Sequence, residues 1–407
     1  MYSLAIYLYM FMVRLASLFN RKARLMMRGH RNTWKILRRE IRPEARYVWF
    51  HAASLGEFEQ GRPLMERMRR EHPEKKILLT FFSPSGYEVR KNYEGADVVC
   101  YLPFDTPLNA RKFVRLAHIE TAFFIKYEFW RNYIDVLYHK GIPCYSVSSI
   151  FRPEQIFFRS YGRRYARVLK RMTHLFVQNE YSRQLLANRL GITHTTVVGD
   201  TRMDRVVSIM QQAKHLPEVE KMVKDAPYVM VAGSTWPPDE DLIINYFNQH
   251  PELKLIMAPH VVSPEHLQQI ESKLQRPTVR YSQLKEQPRE ADCLLIDCYG
   301  LLSAIYRYAQ IAYVGGGFGV GIHNVPEAAV YGIPVIIGPN HHKFMEANDL
   351  LANGGCFEVK NAADFNTTVD HLLSHPDALQ RASKASAEYI HNSAGATRKI
   401  YHVVYGD

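Results

Sequence analysis

A strand, a glycine-rich loop and a helix start follow one another between Ile311 and Val330, and that order makes an anion site. Ile311-Ala312-Tyr313-Val314 is a short apolar run, the pattern of a buried parallel strand. Gly315, Gly316, Gly317, Gly319 and Gly321 then let the chain turn tightly and let backbone approach a ligand. Asn324 stands at a helix start, with Pro326 early in the first turn and Glu327 beside it. Free backbone N–H groups and the helix dipole are expected to point at a phosphate there. The carboxylate of Glu327 does not suit a phosphate, but it can accept from a pair of ribose hydroxyls. The expected ligand is a nucleotide held by phosphate on one side and sugar on the other. The competing reading is a glycine-rich turn that binds nothing.

Two carboxylates stand at strand ends in the first half. Tyr47-Val48-Trp49-Phe50 reads as a strand, and the small-residue loop after it leads to a helix with Glu57 at the junction. Thr121-Ala122-Phe123-Phe124-Ile125 reads as another strand, running into Lys126-Tyr127-Glu128. Domains of α/β type place functional groups outside the carboxyl ends of their strands. Spacing alone favours a plainer role for Glu57, a first-turn acid that complements the helix dipole. In the second half Asp239-Glu240-Asp241 spells D-x-D, a metal–nucleotide pattern in some transferases. It follows Pro237-Pro238, and first-turn acids explain it better. No cluster with metal-ligand spacing stands out.

The elements that must position these groups alternate in type. Strands are expected at 47–50, 77–82, 98–103, 121–125, 143–147, 175–179 and 195–200. The rhythm restarts after a charged helical stretch, with strands at 228–232, 254–257, 293–297, 311–314 and 334–339. Helical stretches between strands give parallel sheets covered on both faces, so the class expected is α/β with two sheets of similar size. The domains read as 1–45, an N-terminal membrane-associating segment; 46–204; 205–385; and 386–407, a helix expected to cross back to the first domain. A nucleotide site in the second sheet domain is expected to face a cleft lined by Glu57 and Glu128.

The length of 407 residues suits two domains. The net charge of +12 is uneven: from Met1 to Arg46 there are eleven Lys and Arg against two acids. A second basic stretch runs from Arg152 to Arg171. Such fields attract membrane surfaces, nucleic acid or phosphorylated substrates. The five cysteines are scattered, with no C-x-x-C pair, a reduced pattern in which they act as small core residues. Leu4 to Val13 is almost continuously apolar, too short for a membrane span and not followed by a cleavage site. A helix lying in the membrane interface is expected, with Arg14 snorkelling and the basic flank on the cytoplasmic side. The competing reading packs this helix on the protein's own core.

Six stretches, taken in order, carry a resemblance. His51 through Glu57 reads His-x-x-Ser-x-Gly-Glu, and Ser83-Pro84-Ser85-Gly86 stands where a Thr-Pro-x-Gly loop would. Glu128-Phe129-Trp130-Arg131-Asn132 is close to Glu-x-Trp-Pro-Asn, with Arg131 in place of proline. Ala232-Gly233-Ser234-Thr235 follows. Asp297-Cys298-Tyr299-Gly300-Leu301 resembles Asp-x-x-Gly-Glu-Leu, one residue shorter and without the acid. Gly315 to Glu327 resembles Gly-Gly-Ser…His-Asn-Pro-Leu-Glu, with Val325-Pro326 between Asn324 and Glu327. Together they resemble the Kdo (3-deoxy-D-manno-octulosonic acid) transferases. These are inner-membrane glycosyltransferases with two Rossmann-like domains facing a central cleft (the GT-B type). They transfer Kdo from CMP-Kdo to a lipid A precursor.

The resemblance implies roles. Glu57 is the expected general base, with Glu128 and Arg202 supporting the transition state; Arg202 stands where the family commonly has Lys. CMP is expected at Pro259, His260, Tyr299, Gly300, Leu301 and Asn324-Val325-Pro326-Glu327, and His260 stands where the family often has Arg. Ser234, Gly316, Gly317 and His323 fall in the donor and phosphate loops, and Ser54, Gly56, Ser83 and Gly86 on the acceptor side. The implied reaction is inverting transfer at the cytoplasmic face of the inner membrane. It needs no cofactor or metal; its partners are CMP-Kdo, a lipid A precursor and anionic lipids, with no nucleic acid. The rival readings are a UDP-sugar transferase or UDP-GlcNAc 2-epimerase of similar architecture, and a non-catalytic basic protein that binds membrane or nucleic acid. The first rival differs in nucleotide; the second leaves the strand-end loops unexplained.

Overall fold

A computed structural model describes residues 2–284 and 291–406, apart from the Arg163 side chain. The chain divides into two compact units, one of Met1–Arg205 with Ala394–Asp407 and one of Val206–Ser393.

The first unit holds a parallel sheet of β1 (Tyr47–Ala52), β2 (Lys76–Phe81), β3 (Val98–Tyr101), β4 (Ile119–Ile125), β5 (Cys144–Ser149), β6 (His174–Val177) and β7 (Thr195–Val197). Their order across the sheet is β3-β2-β1-β4-β5-β6-β7. Every residue of β1 is buried, as a central strand covered on both faces requires. The order reverses between β1 and β4, and a ligand site is expected outside the carboxyl ends of the strands at such a switch.

The second unit repeats the plan with β8 (Tyr228–Thr235), β9 (Leu253–Pro259), β10 (Thr278–Arg280), β11 (Cys293–Leu295), β12 (Ile311–Val314), β13 (Val335–Ile337) and β14 (Cys356–Glu358). The order is β10-β11-β9-β8-β12-β13-β14, so the switch falls between β8 and β12. The α/β class with two Rossmann-like sheets is as expected. Two strands escaped the sequence reading, β10 and β14, each three residues long and at a sheet edge. An edge strand of that length needs no apolar run, and neither has one.

Helices account for the rest. α1 (Tyr2–Ala16) buries none of its residues, and Leu4, Leu8, Phe11, Met12 and Leu15 are exposed. It is tied at its start by the Tyr2 hydroxyl, which donates to Asp105 Oδ2 at 2.6 Å. α2 (Arg21–Glu40) is capped by Asn20, whose Oδ1 accepts from the Lys22 N–H at 2.8 Å. Met26, His30, Thr33, Ile36 and Leu37 form its buried stripe, and the Thr33 hydroxyl donates to Tyr101 O on β3 at 2.7 Å. The two helices of residues 1–45 thus differ in what they bury. α2 packs on the sheet through that stripe, and only α1 leaves an apolar face uncovered. Among the described residues no helix is long and apolar enough to cross a membrane.

α3 (Leu55–Glu71) covers the other face of the first sheet. Phe58, Leu64, Met65 and Met68 share its core with Ile400 and Tyr401 from the helix Ala396–Tyr405. The Asp204 carboxylate holds that helix by its start, accepting from the N–H groups of Gly395 at 2.5 Å and Thr397 at 2.6 Å. The boundary read at residue 386 falls inside the helix Pro376–Ser393, and the chain changes units at Ala394. Ile400 has no exposed surface, so Ile400→Ala should cost about 2–4 kcal/mol in unfolding free energy, measured by urea denaturation.

Candidate active site

The end of β1 and the start of α3 fix Glu57. It is the third residue of the helix and folds back on the helix start. Its Oε2 accepts from the N–H of Ala53 at 2.6 Å and of Ser54 at 3.1 Å. This is the first-turn role that spacing favoured, and it places the carboxylate beside the β1–β4 switch. Burial pushes the Glu57 carboxyl up to about 7, and the nearby charge of Glu128 adds to that push. The two N–H bonds and the Lys126 ammonium oppose the shift without cancelling it.

Across the switch, β4 ends at Ile125 and Lys126 turns the chain with a φ of 65°. A lysine in the left-handed region is strained, and such strain gathers at functional sites. The turn delivers Glu128, whose Oε2 lies 2.6 Å from the Trp130 indole nitrogen and 3.2 Å from His51 Nε2. His51 Nδ1 lies 2.9 Å from Thr80 Oγ1, which accepts from Trp49 Nε1 at 2.8 Å. His51 Nε2 also lies 3.0 Å from the Trp130 indole nitrogen, and Thr80 Oγ1 lies 3.4 Å from Phe50 O. The Glu128 carboxylate oxygen beside Nε2 calls for a donor there, which assigns the ring hydrogen to Nε2 and lets Thr80 donate to Nδ1. Register sets this up, because His51 pairs with Thr80 on β2 and with Phe124 on β4.

Arg202 follows β7. Its Nε donates to Asp200 Oδ2 at 2.8 Å and its backbone N–H to Asp200 Oδ1 at 2.9 Å. Gln60, one turn beyond Glu57 on α3, donates to Asp200 Oδ1 at 2.9 Å, and Gln178 donates to Oδ2 at 3.1 Å. Asp200 thus orients Arg202 and links it to the helix of Glu57. Of the residues assigned to the acceptor side, the Ser83 N–H donates to Ala53 O at 2.8 Å, tying the loop after β2 to that after β1. Ser54 caps α3, and the space beside Gly56 is open. Gly86 is buried against the Phe81 ring, where a Cβ would not fit, so its place is set by packing.

In the second unit the glycine loop departs from expectation. Several of its N–H groups are already taken. Gly315 donates to Gly233 O at 2.9 Å, Gly316 to Asp239 Oδ2 at 2.9 Å, and His323 to Gly315 O at 3.1 Å. A Cβ on Gly317 would lie 2.6 Å from Gly338 Cα, so that glycine serves close backbone packing. The helix after Asn324 spans only Val325–Ala329, five residues, too short to carry much of a macrodipole. Val325 and Pro326 are buried and offer a ligand no side chain.

Ser234, with a φ of 54°, His323, Asn324 and Glu327 do come together, around a cavity of about 150 Å³ closed by Leu302 and Tyr306. Glu327 Oε1 accepts from Asn324 Nδ2 at 2.6 Å and Oε2 from the Ser303 hydroxyl at 3.2 Å. Pro259, His260, Tyr299, Gly300 and Leu301 do not line this cavity. His260 stacks between Trp236 at 4.7 Å and His323 at 4.5 Å, between ring centres. Burial, then the neighbouring His260, lowers the His323 pKa, and the His323 Nε2 accepts from Trp236 Nε1 at 3.2 Å. A neutral His323 supplies no cation for a phosphate. Pro259 is buried at the end of β9, while Tyr299 is exposed and accepts from the Val262 N–H at 3.2 Å.

Asp239 is the residue of this unit that sequence reasoning undervalued. As a first-turn acid it accepts from the Trp236 N–H at 2.9 Å, but it also takes the Gly316 N–H and, at 2.7 Å, the Tyr313 hydroxyl. Asp239 is buried, and Asp241, the other acid of the D-x-D string, pairs with Lys273 at 2.6 Å, so the string holds no metal-facing pair. Among the described residues no three His, Cys, Asp or Glu side chains gather as a metal site. Asp239→Ala strands two buried donors and the part-buried Trp236 N–H. It should cost about 2–4 kcal/mol and speed hydrogen exchange at residues 315–323, read by urea denaturation and mass spectrometry.

Comparison with known proteins gives the chain's relatives. Residues 23–205 match the family described as 3-Deoxy-D-manno-octulosonic-acid transferase (kdotransferase). The 3-deoxy-D-manno-octulosonic acid transferase of Aquifex aeolicus is 27% identical over 339 residues, covering 80% of this chain and 86% of the relative. The enzyme of that name from Bordetella pertussis is 27% identical, covering 88% and 86%. The one from Haemophilus influenzae is 24% identical, covering 88% and 86%. Among solved structures, UDP-GlcNAc 2-epimerase from Neisseria meningitidis superposes with a TM-score of 0.64 at 13% identity, covering 89% of this chain and 100% of that one. MurG from Acinetobacter baumannii superposes at 0.57 with 9% identity, covering 89% and 100%. These structural likenesses speak to the fold alone.

Proposed function

We propose that the chain is a Kdo transferase of the GT-B type and that it transfers Kdo from CMP-Kdo to a lipid A precursor in lipopolysaccharide synthesis, with inversion. The observation that carries the mechanism is the Glu57 carboxyl, pushed up to about 7 at the switch of the first sheet. A base with that pKa takes a proton most effectively near neutral pH.

Transfer breaks the bond from the anomeric carbon to the phosphate oxygen of CMP, through an oxocarbenium-like state. Glu57 removes the proton of the acceptor hydroxyl as it attacks that carbon. Glu128, held by Trp130 and His51, places negative charge near the developing cation. The leaving group is a phosphate monoester, and Arg202, oriented by Asp200, offers it a planar fork of N–H donors. In the second unit Glu327 and Asn324 present an acceptor pair suited to ribose hydroxyls, and Ser234 a hydroxyl at the cavity wall. The scheme calls for no metal, because Arg202 supplies the positive charge.

The acceptor class has support of another kind. A cavity of about 610 Å³ lies along α2, lined by Arg24, Arg28, Arg31, Lys35 and Lys91 with one acid, Glu88. Among the described residues Arg28, Arg31 and Lys35 make no ion pair, and the apolar face of α1 is exposed. Cations beside an uncovered apolar face suit a phosphorylated amphiphile and the anionic cytoplasmic face of the inner membrane.

Turnover with CMP-Kdo and a tetraacyl, bisphosphorylated lipid A precursor in detergent with EDTA tests the proposal. Product is expected, its mass counting the sugars added, and Glu57→Gln should lower kcat by about 10²- to 10⁴-fold. Turnover of a UDP-sugar in place of CMP-Kdo would overturn it.

A further inference from the structure

His51 is the most enclosed member of the carboxylate site, with no exposed side-chain surface, and the transfer scheme gives it no step of its own. A core position at the end of a central strand would accept an apolar ring more cheaply than an imidazole. The polar cluster around His51 is specific. Thr80 bonds one ring nitrogen and Glu128 the other. Trp130, whose indole nitrogen is 2.6 Å from the same Glu128 oxygen, is backed by the Phe82 ring at 4.6 Å between centres. Both donors converge on Oε2; Oε1 accepts no hydrogen bond from the described residues. The titratable groups that interact with the ring are Glu128 after β4 and His30 on α2; Glu128 and Lys126 in turn act on Glu57 on α3.

We infer that His51 is a positioning residue for the transfer: its Nε2–H, with the Trp130 indole N–H, clamps one oxygen of Glu128 and turns the other toward the substrate. Thr80, by donating to Nδ1, holds the imidazole in the form whose hydrogen sits on Nε2. The inference rests on the transfer reaction proposed above. A carboxylate held by a single oxygen keeps its second oxygen in one place, and misplacement of such a group by about 1 Å costs on the order of 100-fold in rate.

Two variants test it. His51→Asn keeps a polar atom near Thr80 but ends short of Glu128. His51→Gln is long enough to return an N–H to Glu128. In His51→Asn, kcat should fall by about 10- to 100-fold with the KM for CMP-Kdo nearly unchanged. The acid limb of its pH–rate profile should move up by about 1 pH unit, because the carboxylate pair loses an N–H that favours its charged form. His51→Gln should recover most of both. Equal losses in the two variants with an unmoved acid limb would leave His51 a packing residue and overturn the inference. Carbon-13 titration of the Glu57 and Glu128 carboxyls, in wild type and His51→Asn without substrate, separates this from the reaction itself. An upward shift in the variant supports the clamp even if the wild type turns over no CMP-Kdo, and an unshifted titration overturns the clamp even if it does.

Discussion

A carboxylate taken out of water must find hydrogen bonds and positive charge or take up a proton, and Glu57 is held between those outcomes. Two backbone N–H groups at the start of α3 stabilise its charge, while burial and the charge of Glu128 oppose it. The rest of the first unit keeps this balance in place. The sheet order sets β1 beside β4, so that Glu57 and Glu128 leave the sheet on either side of its switch. Gln60 carries the same helix to Asp200, and Asp200 aims Arg202. The Asp204 carboxylate, two residues beyond Arg202, recruits the C-terminal helix, whose Ile400 and Tyr401 pack against α3 from its other side.

The second unit is organised by close backbone packing. Gly317 passes over Gly338 too closely for any side chain, and Asp239 binds the loop to β8 and to Tyr313. The loop is therefore a closed structure, with much of its hydrogen bonding internal. What it presents is a set of side chains around a small cavity: Ser234, His323, Asn324 and Glu327. Sugar hydroxyls suit that set better than a bare phosphate does, because Glu327 is an acceptor and His323 is held neutral.

Much of this was legible in the sequence, and the reasons are physical. A strand buried on both faces, such as Tyr47–Ala52, must be apolar throughout, so the interior strands announce themselves. Edge strands of three residues, β10 and β14, carry no such demand. Loops at strand ends were found because small residues and a carboxylate cluster there. Their hydrogen bonding was not, since whether the Gly316 N–H is free depends on Asp239, seventy-seven residues away. Distance in sequence likewise hid the partnership of His51 with Glu128 and of Arg202 with Gln60 through Asp200. In the basic N-terminal segment the charge stood out, while the apolar stripe from Met26 to Leu37 on α2, which packs on the sheet, is spaced too widely to stand out beside it.

The claim on which most depends is that Glu57, buried beside Glu128, is the base. The pH dependence of kcat/KM for Kdo transfer tests it most directly. The account requires an acid limb near pH 7, below which the rate falls about tenfold per unit as Glu57 takes up its proton. Replacing Glu128 by Gln should move that limb downward, since the charge that raises Glu57 is gone. A profile flat from pH 5 to 8, or a limb at pH 7 that Glu57→Gln leaves in place, would contradict it.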